Sequence, residues 1–484
     1  MLKPRPAPDA PDAPAAASAA ASAGLDRLKA ALGPEGWSQD PERLAPKLVE
    51  WRGRWRGATP LLLLPRTTEE VAAAVGICAE AGLAITPQGG NTGLVGGQIP
   101  QGEVLLSLER MRAIRAVSPD DDVLVAEAGC TLQAVRDAAE AAGRTFPLSL
   151  ASQGTATIGG LVSTNAGGTA VLRYGTMRAL VLGLEAVLPD GRVLRGLKRL
   201  RKDNTGYDLK QLLIGAEGAL GVVTAAALKL FPRLASRAVA IVGLASPEAA
   251  LALLGRAKAE SGGAVEAFEL MGRLGVGLAV ERIPAAREPL AQLHAWYVLI
   301  ELATAAEGQA EAVLEGLLAR ALEDGLVQDA AIAASQAQAH AFWALREGQS
   351  AAQKPEGPAW KHDVAVPVAE VPRFLAQADA AVRALSPRAR IVAFGHVGDG
   401  NIHYDVLGPE GGDPEAHAAL RDQGSRAVHD VAHRLGGSIS AEHGLGSMKS
   451  QEALRYKDPV EVETMRAIRR ALDPKGIMNP RVLF

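Results

Sequence analysis

Three glycine-rich loops between residues 87 and 224 restrict this fold more than any other feature of the sequence. The first, PQGGNTGLVGG (Pro87 to Gly97), follows the apolar Leu83-Ala84-Ile85 and places five glycines in nine residues. Without side chains, consecutive backbone N–H groups can converge on one anion and form a nest for phosphate oxygens. The second loop runs from Ser152 through Gly154, Thr157, Gly159 and Gly160 into Asn165, Gly167 and Gly168, and then to Tyr174 and Gly175. The third runs from Asp203 to Asp208 and on to Glu217, Gly218, Gly221 and Val223. Singly, each is also explained by a tight irregular turn. Together they predict an elongated ligand with a pyrophosphate. Neither GxGxxG nor GxxxxGK occurs, which disfavours ordinary dinucleotide and P-loop folds.

Around these loops the pattern is mixed α/β. The aliphatic burst Leu61 to Leu64 reads as a buried strand feeding a helix, with Thr67 and Glu70 at capping-box spacing. From about Leu234 helical stretches alternate with β-like runs such as Trp296 to Leu302; Ser246 is a plausible N-cap with Pro247 at N1. We expect an α+β chain divided into residues 1–44 (a disordered tail and a first helix), 45–232 (the loop-bearing domain), 233–444 (a second α+β domain) and a helical 445–484. The 484 residues carry 51 basic and 54 acidic side chains, so bulk charge selects neither nucleic acid nor an anionic membrane. Two cysteines, Cys78 and Cys130, exclude a disulfide scaffold and a cysteine-based zinc site and read as small buried hydrophobes. The Pro/Ala/Ser-rich N-terminus, broken by Asp9 and Asp12, resembles neither a secretory signal nor a span, and a cytoplasmic location is the expectation.

Six of the nine histidines fall between His396 and His443. In GHVGDGNIH the Gly-Asp-Gly-Asn run is a turn signal between two β runs. With the turn centred between Asp399 and Gly400, His396 and His403 are directly opposed, with Cβ atoms ~5 Å apart, and can share one metal ion. The segment SAEHGLG adds Glu442 beside His443. Two imidazoles and a carboxylate leave coordination positions open, as a catalytic metal site requires. On the residues alone, a flavin-free metal hydrolase fits this set as well. His429 and His433, at i,i+4 on a predicted helix, read as a packing or solvated face.

PQGGNTGLVGG, TIGGLVSTNAGG, RYGT, KDNTGYDLKQL and GAEGALGVVT resemble, in order, the flavin-binding blocks of the vanillyl-alcohol oxidase / p-cresol methylhydroxylase (VAO/PCMH) superfamily. The resemblance implies a VAO/PCMH-type FAD-binding domain, a substrate (cap) domain and a C-terminal segment completing the FAD site. The implied FAD contacts are Pro87, Gly89, Gly90, Asn91, Thr92, Gly93, Gly154, Thr157, Gly159, Gly160, Asn165, Gly167, Gly168, Tyr174, Gly175, Glu217, Gly218, Gly221, Val223 and Asn479. The pyrophosphate would lie on the Gly89 to Gly93 loop and the isoalloxazine near Thr157, Gly160 and Val223. FAD is expected to be non-covalent, since the first histidine, His294, follows every flavin loop.

GHVGDGNIH and SAEHGLG are similar to the metal signatures of the D-2-hydroxyacid dehydrogenase branch of that superfamily. This implies His396, His403 and Glu442 as ligands of a divalent ion, zinc first and Mn2+, Co2+ or Fe2+ as alternatives, with His443 as catalytic base. The WxLRE motif is similar to the helix whose arginine holds the substrate C1 carboxylate, which assigns Arg346, with Ser350 one turn later. D-2-hydroxyglutarate dehydrogenases of the branch carry a lysine at the position of Lys361, where D-lactate and glycolate relatives generally do not. A second substrate carboxylate needs a second cation, and a buried cation left unpaired rejects a monocarboxylate. The implied reaction is oxidation of D-2-hydroxyglutarate to 2-oxoglutarate, with D-lactate or glycolate oxidation as the alternative. The implied acceptor is electron-transfer flavoprotein or a quinone, and a homodimer is compatible. One departure stands out: relatives commonly have asparagine where this chain has Asp405, on the strand face of His403, placing extra negative charge near metal and substrate.

Overall fold

The computed structural model describes residues 15–284 and 286–484. Most of the expected N-terminal tail, residues 1–14, lies outside the described residues. The Ala/Ser stretch that follows is a correction to the expectation of disorder: a helix spans Ala15–Leu32. Alanine has the highest helix propensity, and the helix is anchored further along, where Leu28 is fully buried against Val71 and Val75 of the next long helix.

The first sheet has the order Trp37–Ser38, Leu62–Leu63, Val104–Ser107, Ile85–Gln88, with its last three strands parallel. Leu61 to Leu64 are completely buried, as a strand covered on both faces must be. The helix Thr68–Ala81 starts at Thr67, whose hydroxyl accepts from Glu70 N, and stops at Gly82, where φ is +68°. A five-stranded antiparallel sheet follows, ordered Ile114–Ser118, Val123–Glu127, Val222–Lys229, Val181–Val187, Val193–Gly196. Both cysteines are free and buried in these layers, and burial pushes the Cys78 thiol up to about 12 and that of Cys130 to about 11.

The expected boundary near 232 falls between the short strand Phe231–Pro232, which pairs back onto Arg144–Thr145, and Ser236–Leu244, which opens a seven-stranded antiparallel sheet. The order of that sheet is Asp329–Ile332, Ser236–Leu244, Trp296–Thr304, Val265–Gly272, Arg390–Gly395, Asn401–Leu407, Ala359–Ala365. Side chains alternate: Ala238, Ala240, Val242 and Leu244 face one core, Val239 and Ile241 the other. Ser246 caps the helix Pro247–Glu260 as expected, its side chain accepting from Ala249 N. That helix, with Gln309–Glu323, Val371–Leu385 and Arg421–Arg434, covers the first face; Arg273–Arg282 and Gln336–Glu347 cover the second. Among the described residues no helix is long and apolar enough to cross a membrane.

After the helix Pro459–Leu472 the chain returns to the first sheet. Ile85 N donates to Ile477 O at 2.8 Å and Asn479 N to Ile85 O at 2.8 Å, so the C-terminal segment pairs, in parallel, beside the edge strand that leads into the first glycine loop.

Candidate active site

The glycine loops meet where a side chain would not fit. A Cβ on Gly89 would lie 2.3 Å from Thr157 Oγ1, and one on Gly90 1.8 Å from Thr155 O. Gly168 sits equally close to Ser149 O, at 2.3 Å, Gly159 to Ala128 Cβ, at 2.8 Å, and Gly221 to Val187 O, at 2.7 Å. Gly218 rests on Pro87, Gly93 on Gln98, and Gly160 faces Thr157, whereas Gly154 opens to empty space. Four of the six non-glycine residues with positive φ among those described are Asn91, Asn165, Glu217 and Asn479, all expected at the cofactor. Their side chains sew the loops together. Asn91 Nδ2 donates to Pro46 O and Val49 O, and Asn165 Oδ1 accepts from Arg178 N. Glu217 accepts from Leu445 N at 2.8 Å and Gly446 N at 2.7 Å, and Asn479 Nδ2 donates to Gly97 O and Glu217 O. Thr157 Oγ1 and Asn479 Oδ1 are buried without a partner, an arrangement that a bound polar ligand would satisfy. Loop seats, bare amides and orphaned oxygens fit FAD.

Two expected contacts point elsewhere. The Tyr174 hydroxyl donates to Glu266 at 2.9 Å, tying Gly175 and its neighbours to the seven-stranded sheet, and the Val223 side chain packs into the core beneath the loops. Thr92 lies half-buried in the first loop. Gly167 joins the loops to the second domain: a Cβ there would be 3.7 Å from Glu442 Oε1.

His396, His403 and Glu442 come together, with one ligand atom from each lying within 4.8 Å of the others. Glu442 Oε1 is 3.4 Å from His396 Nε2, and Oε2 is 3.8 Å from His403 Nε2. The predicted register is corrected: Phe394, not His396, opposes His403. The connection is a five-residue loop, residues 396–400, instead of a two-residue turn, because the strand ends at Gly395. There φ is +154° and a Cβ would be 2.4 Å from Asn401 O. The loop curls His396 back, and the two rings lie 6.0 Å apart.

Electrostatics favour a cation at this point. Burial pushes the Glu442 carboxyl up to about 7, and burial also holds the His403 ring well below its ordinary value, leaving a neutral ligand. Burial opposes a charge on His396, but Glu269, accepting from Nδ1 at 2.7 Å, outweighs it and raises the ring to about 9. Because Nδ1 is the nitrogen bonded to Glu269, Nε2 is the one that would bind an ion, which would displace its proton, in the carboxylate–histidine–metal arrangement. The donor set fits a divalent ion of the zinc type.

Glu269 also accepts from Arg346 Nε at 2.7 Å. Burial alone would raise its carboxyl, but the two cationic partners hold it at about 2. Arg346, near the end of the helix Gln336–Glu347, lies 5.0 Å over the Phe394 ring with Nη2 3.5 Å from His396. Ser350 is exposed beyond the break at Gly348 and shares no hydrogen bond with this group. Lys361 and Asp405 are directly opposed on adjacent strands and form an ion pair at 2.9 Å; Gln353 Oε1 also accepts from Lys361 at 3.2 Å. The cation expected to be free for a distal carboxylate is therefore already shared with Asp405. His443 stands beside Glu442, its ring 6.1 Å from that of His403. His429 is buried edge-on against His362, and His433 is exposed against Tyr456.

Three contributors were not anticipated from the sequence: Glu269, Gln353 and Asp363. Asp363, fully buried and opposite His403, accepts from Glu442 N and His443 N and lies 3.2 Å from His443 Nδ1. A signal existed for two of them. Glu269 interrupts the apolar Phe268 to Met271 run, and Asp363 shares a strand face with Lys361.

A family model described as "FAD linked oxidases, C-terminal domain" matches residues 233–483, and one described as "FAD binding domain" matches residues 59–196. The chain is 39% identical over 460 residues to D-2-hydroxyglutarate dehydrogenase, mitochondrial, of Arabidopsis thaliana, covering 95% of this chain and 81% of that protein. It is 40% identical to the Bos taurus protein of the same description, with 91% and 80% covered. Identity to D-2-hydroxyglutarate dehydrogenase of Xanthomonas citri pv. viticola is 36%, with 90% and 91% covered. Among solved structures, p-cresol methylhydroxylase superposes with a TM-score of 0.73 at 16% identity, covering 96% of each chain. Alkyldihydroxyacetonephosphate synthase gives 0.70 at 15% identity, covering 95% of this chain and 85% of that one. At such identities the likeness establishes the fold, which is the α+β VAO/PCMH architecture. The chain belongs to the FAD-linked oxidase family, in the D-2-hydroxyacid dehydrogenase branch that its motifs resemble.

Proposed function

We propose that this protein is an FAD-dependent, divalent-metal-assisted D-2-hydroxyglutarate dehydrogenase that forms 2-oxoglutarate. The observation that supports the reading is the clustering of Arg346, His443 and the His396/His403/Glu442 set beside Gly167 of the flavin loops, with Lys361 on the strand that pairs with that of His403. The glycine loops would hold FAD, and the two histidines and Glu442 the ion. When bound, FAD supplies the hydride acceptor and the ion supplies a Lewis acid that lowers the pKa of a hydroxyl. The chain's own residues then have distinct tasks. Arg346, its Nε fixed by Glu269, offers its Nη atoms to the C1 carboxylate as charge-assisted donors. Lys361 receives the C5 carboxylate. His443, whose ring burial keeps below its ordinary pKa and so neutral, accepts the hydroxyl proton as the C2 hydride departs. Electrons leave to an electron-transfer flavoprotein or a quinone. A cytoplasmic location and a homodimer belong to the same proposal.

Anaerobic bleaching of the bound flavin by D-2-hydroxyglutarate, with D-lactate, D-malate, glycolate and the L-enantiomers in parallel, tests the reading. Selective bleaching by D-2-hydroxyglutarate is expected, and it should be lost on exhaustive chelation and slowed severely, to a residual measurable rate, in His443→Asn. The Lys361–Asp405 pair favours a second reading, oxidation of D-lactate or glycolate. Faster bleaching by either would establish that one instead.

A further inference from the structure

Asp363 has no part in the steps above, yet its carboxylate is the most heavily used in the site. Oδ1 accepts from Asn401 Nδ2 at 2.9 Å and lies 3.8 Å from His403 Nδ1. Oδ2 accepts from the backbone N–H of Glu442 at 3.1 Å and of His443 at 3.0 Å, and lies 3.2 Å from His443 Nδ1. It is buried on the edge strand Ala359–Ala365, opposite His403, and Lys449, whose charge also acts on it, spends its ammonium on Ile439 O and Ser440 Oγ. Asp363, Glu442 and His443 also satisfy the spacing of a metal cluster. Three N–H donors already occupy the Asp363 oxygens, however, so the group reads as a hydrogen-bond network.

We propose that Asp363 is the positioning residue of the proton transfer: it fixes His443 as the tautomer with hydrogen on Nδ1 and turns the Nε2 lone pair toward the substrate. A neutral imidazole has one donor and one acceptor nitrogen, and a carboxylate can only accept, so the nitrogen facing Asp363 must carry the hydrogen. The backbone bonds fix the ring's origin, and the carboxylate 3.2 Å from Nδ1 sets which ring nitrogen faces it. Once Nε2 is protonated, the same carboxylate stabilises the imidazolium. This inference rests on His443 being the base, as proposed above.

The test is a double-mutant cycle on the full-length, FAD-loaded protein, read as the rate of anaerobic flavin reduction. Asp363→Asn should lower the limiting rate on the order of a hundredfold or more, by analogy with the wrong-tautomer defect of hydrolase triads, with KM held within about threefold. In a His443→Asn background the same change should cost less than about threefold, because the residue through which Asp363 acts is gone. Flavin and metal stoichiometry should not change, and Asp363→Glu should recover part of the rate. Equal losses in both backgrounds, or loss of metal in Asp363→Asn, would overturn the proposal in favour of a structural or ligand role. Nitrogen-15 shifts of the His443 ring in the substrate-free wild type give a second readout independent of turnover and of how the variants fold. A proton on Nε2 would sink the idea. If no hydroxyacid bleaches the flavin, the functional reading fails, while the tautomer still decides on Asp363.

Discussion

Replacing Asp405 by asparagine should tighten the binding of a dicarboxylate and leave a monocarboxylate unaffected. Asp405 is 3% exposed and its Oδ2 lies 2.9 Å from Lys361 Nζ. A substrate carboxylate bonded to the same ammonium would place its charge about 5 Å from that of Asp405. At an effective dielectric of about 20, like charges at this separation repel by about 3 kcal/mol. The Lys361 side chain is 21% exposed. Solvent screening at such a half-open site reduces the net term to about 1–2 kcal/mol. At about 1.4 kcal/mol per tenfold, Asp405→Asn should lower KM for D-2-hydroxyglutarate roughly five- to thirtyfold. Asparagine has nearly the same volume and keeps an oxygen for Lys361, so packing on the strand is preserved. The assay is steady-state dye reduction with D-2-hydroxyglutarate and D-lactate, repeated in a Lys361→Met background, where the gain should vanish. An unchanged or raised KM for the dicarboxylate, or an equal shift for D-lactate, would refute the reasoning.

Gly90→Ala would set a methyl group 1.8 Å from Thr155 O, and the purified variant should carry little flavin, measured as the ratio of visible to protein absorbance. Glu269→Gln removes the buried partner of both His396 and Arg346; divalent-ion affinity should fall about 10- to 100-fold in chelator competition. The same variant should also lose about 3–5 kcal/mol of stability, since the Arg346 charge is left uncompensated. Acid should destabilise the fold through two buried neutral rings, because burial lowers His362 to about 3 and His429 to about 4. Below about pH 6.5 the unfolded chain takes up protons that the folded chain refuses, so the melting temperature should fall as pH drops from 6.5 toward 4, with a shallower slope in His429→Gln. A flat profile would count against it.

The parts of the site legible in the sequence are those whose partners are near in the chain. His396 and His403 could be paired because a hairpin brings them together whatever its register. The register itself was missed, because the backbone of Gly395 ends the strand before His396, and no spacing rule reveals that. Glu442 and His443 are adjacent, so one strand of reasoning finds both. Glu269 stands 127 positions from its partner His396, and only the meeting of Val265–Gly272 with Arg390–Gly395 joins them. Asp405 could be seen as a departure, but its partner could not, since Lys361 arrives on a strand 44 positions earlier. The same distinction holds for the fold. The caps at Thr67 and Ser246 are local, whereas the helical state of Ala15 to Gly24 depends on Leu28 reaching a core formed by later residues.

The return of the C-terminus to Ile85 sets an order of events during synthesis. Met478 and Asn479 pair alongside the strand that opens the first flavin loop, and Asn479 bridges Gly97 to Glu217, so the cradle is completed by residues translated long after its last glycine loop. A nascent chain that has not yet reached Met478 has every glycine loop but lacks the clasp that binds them together. Cofactor capture therefore waits until the second domain has been made, and trimming the chain before residue 477 should give a colourless protein even though every flavin loop is intact.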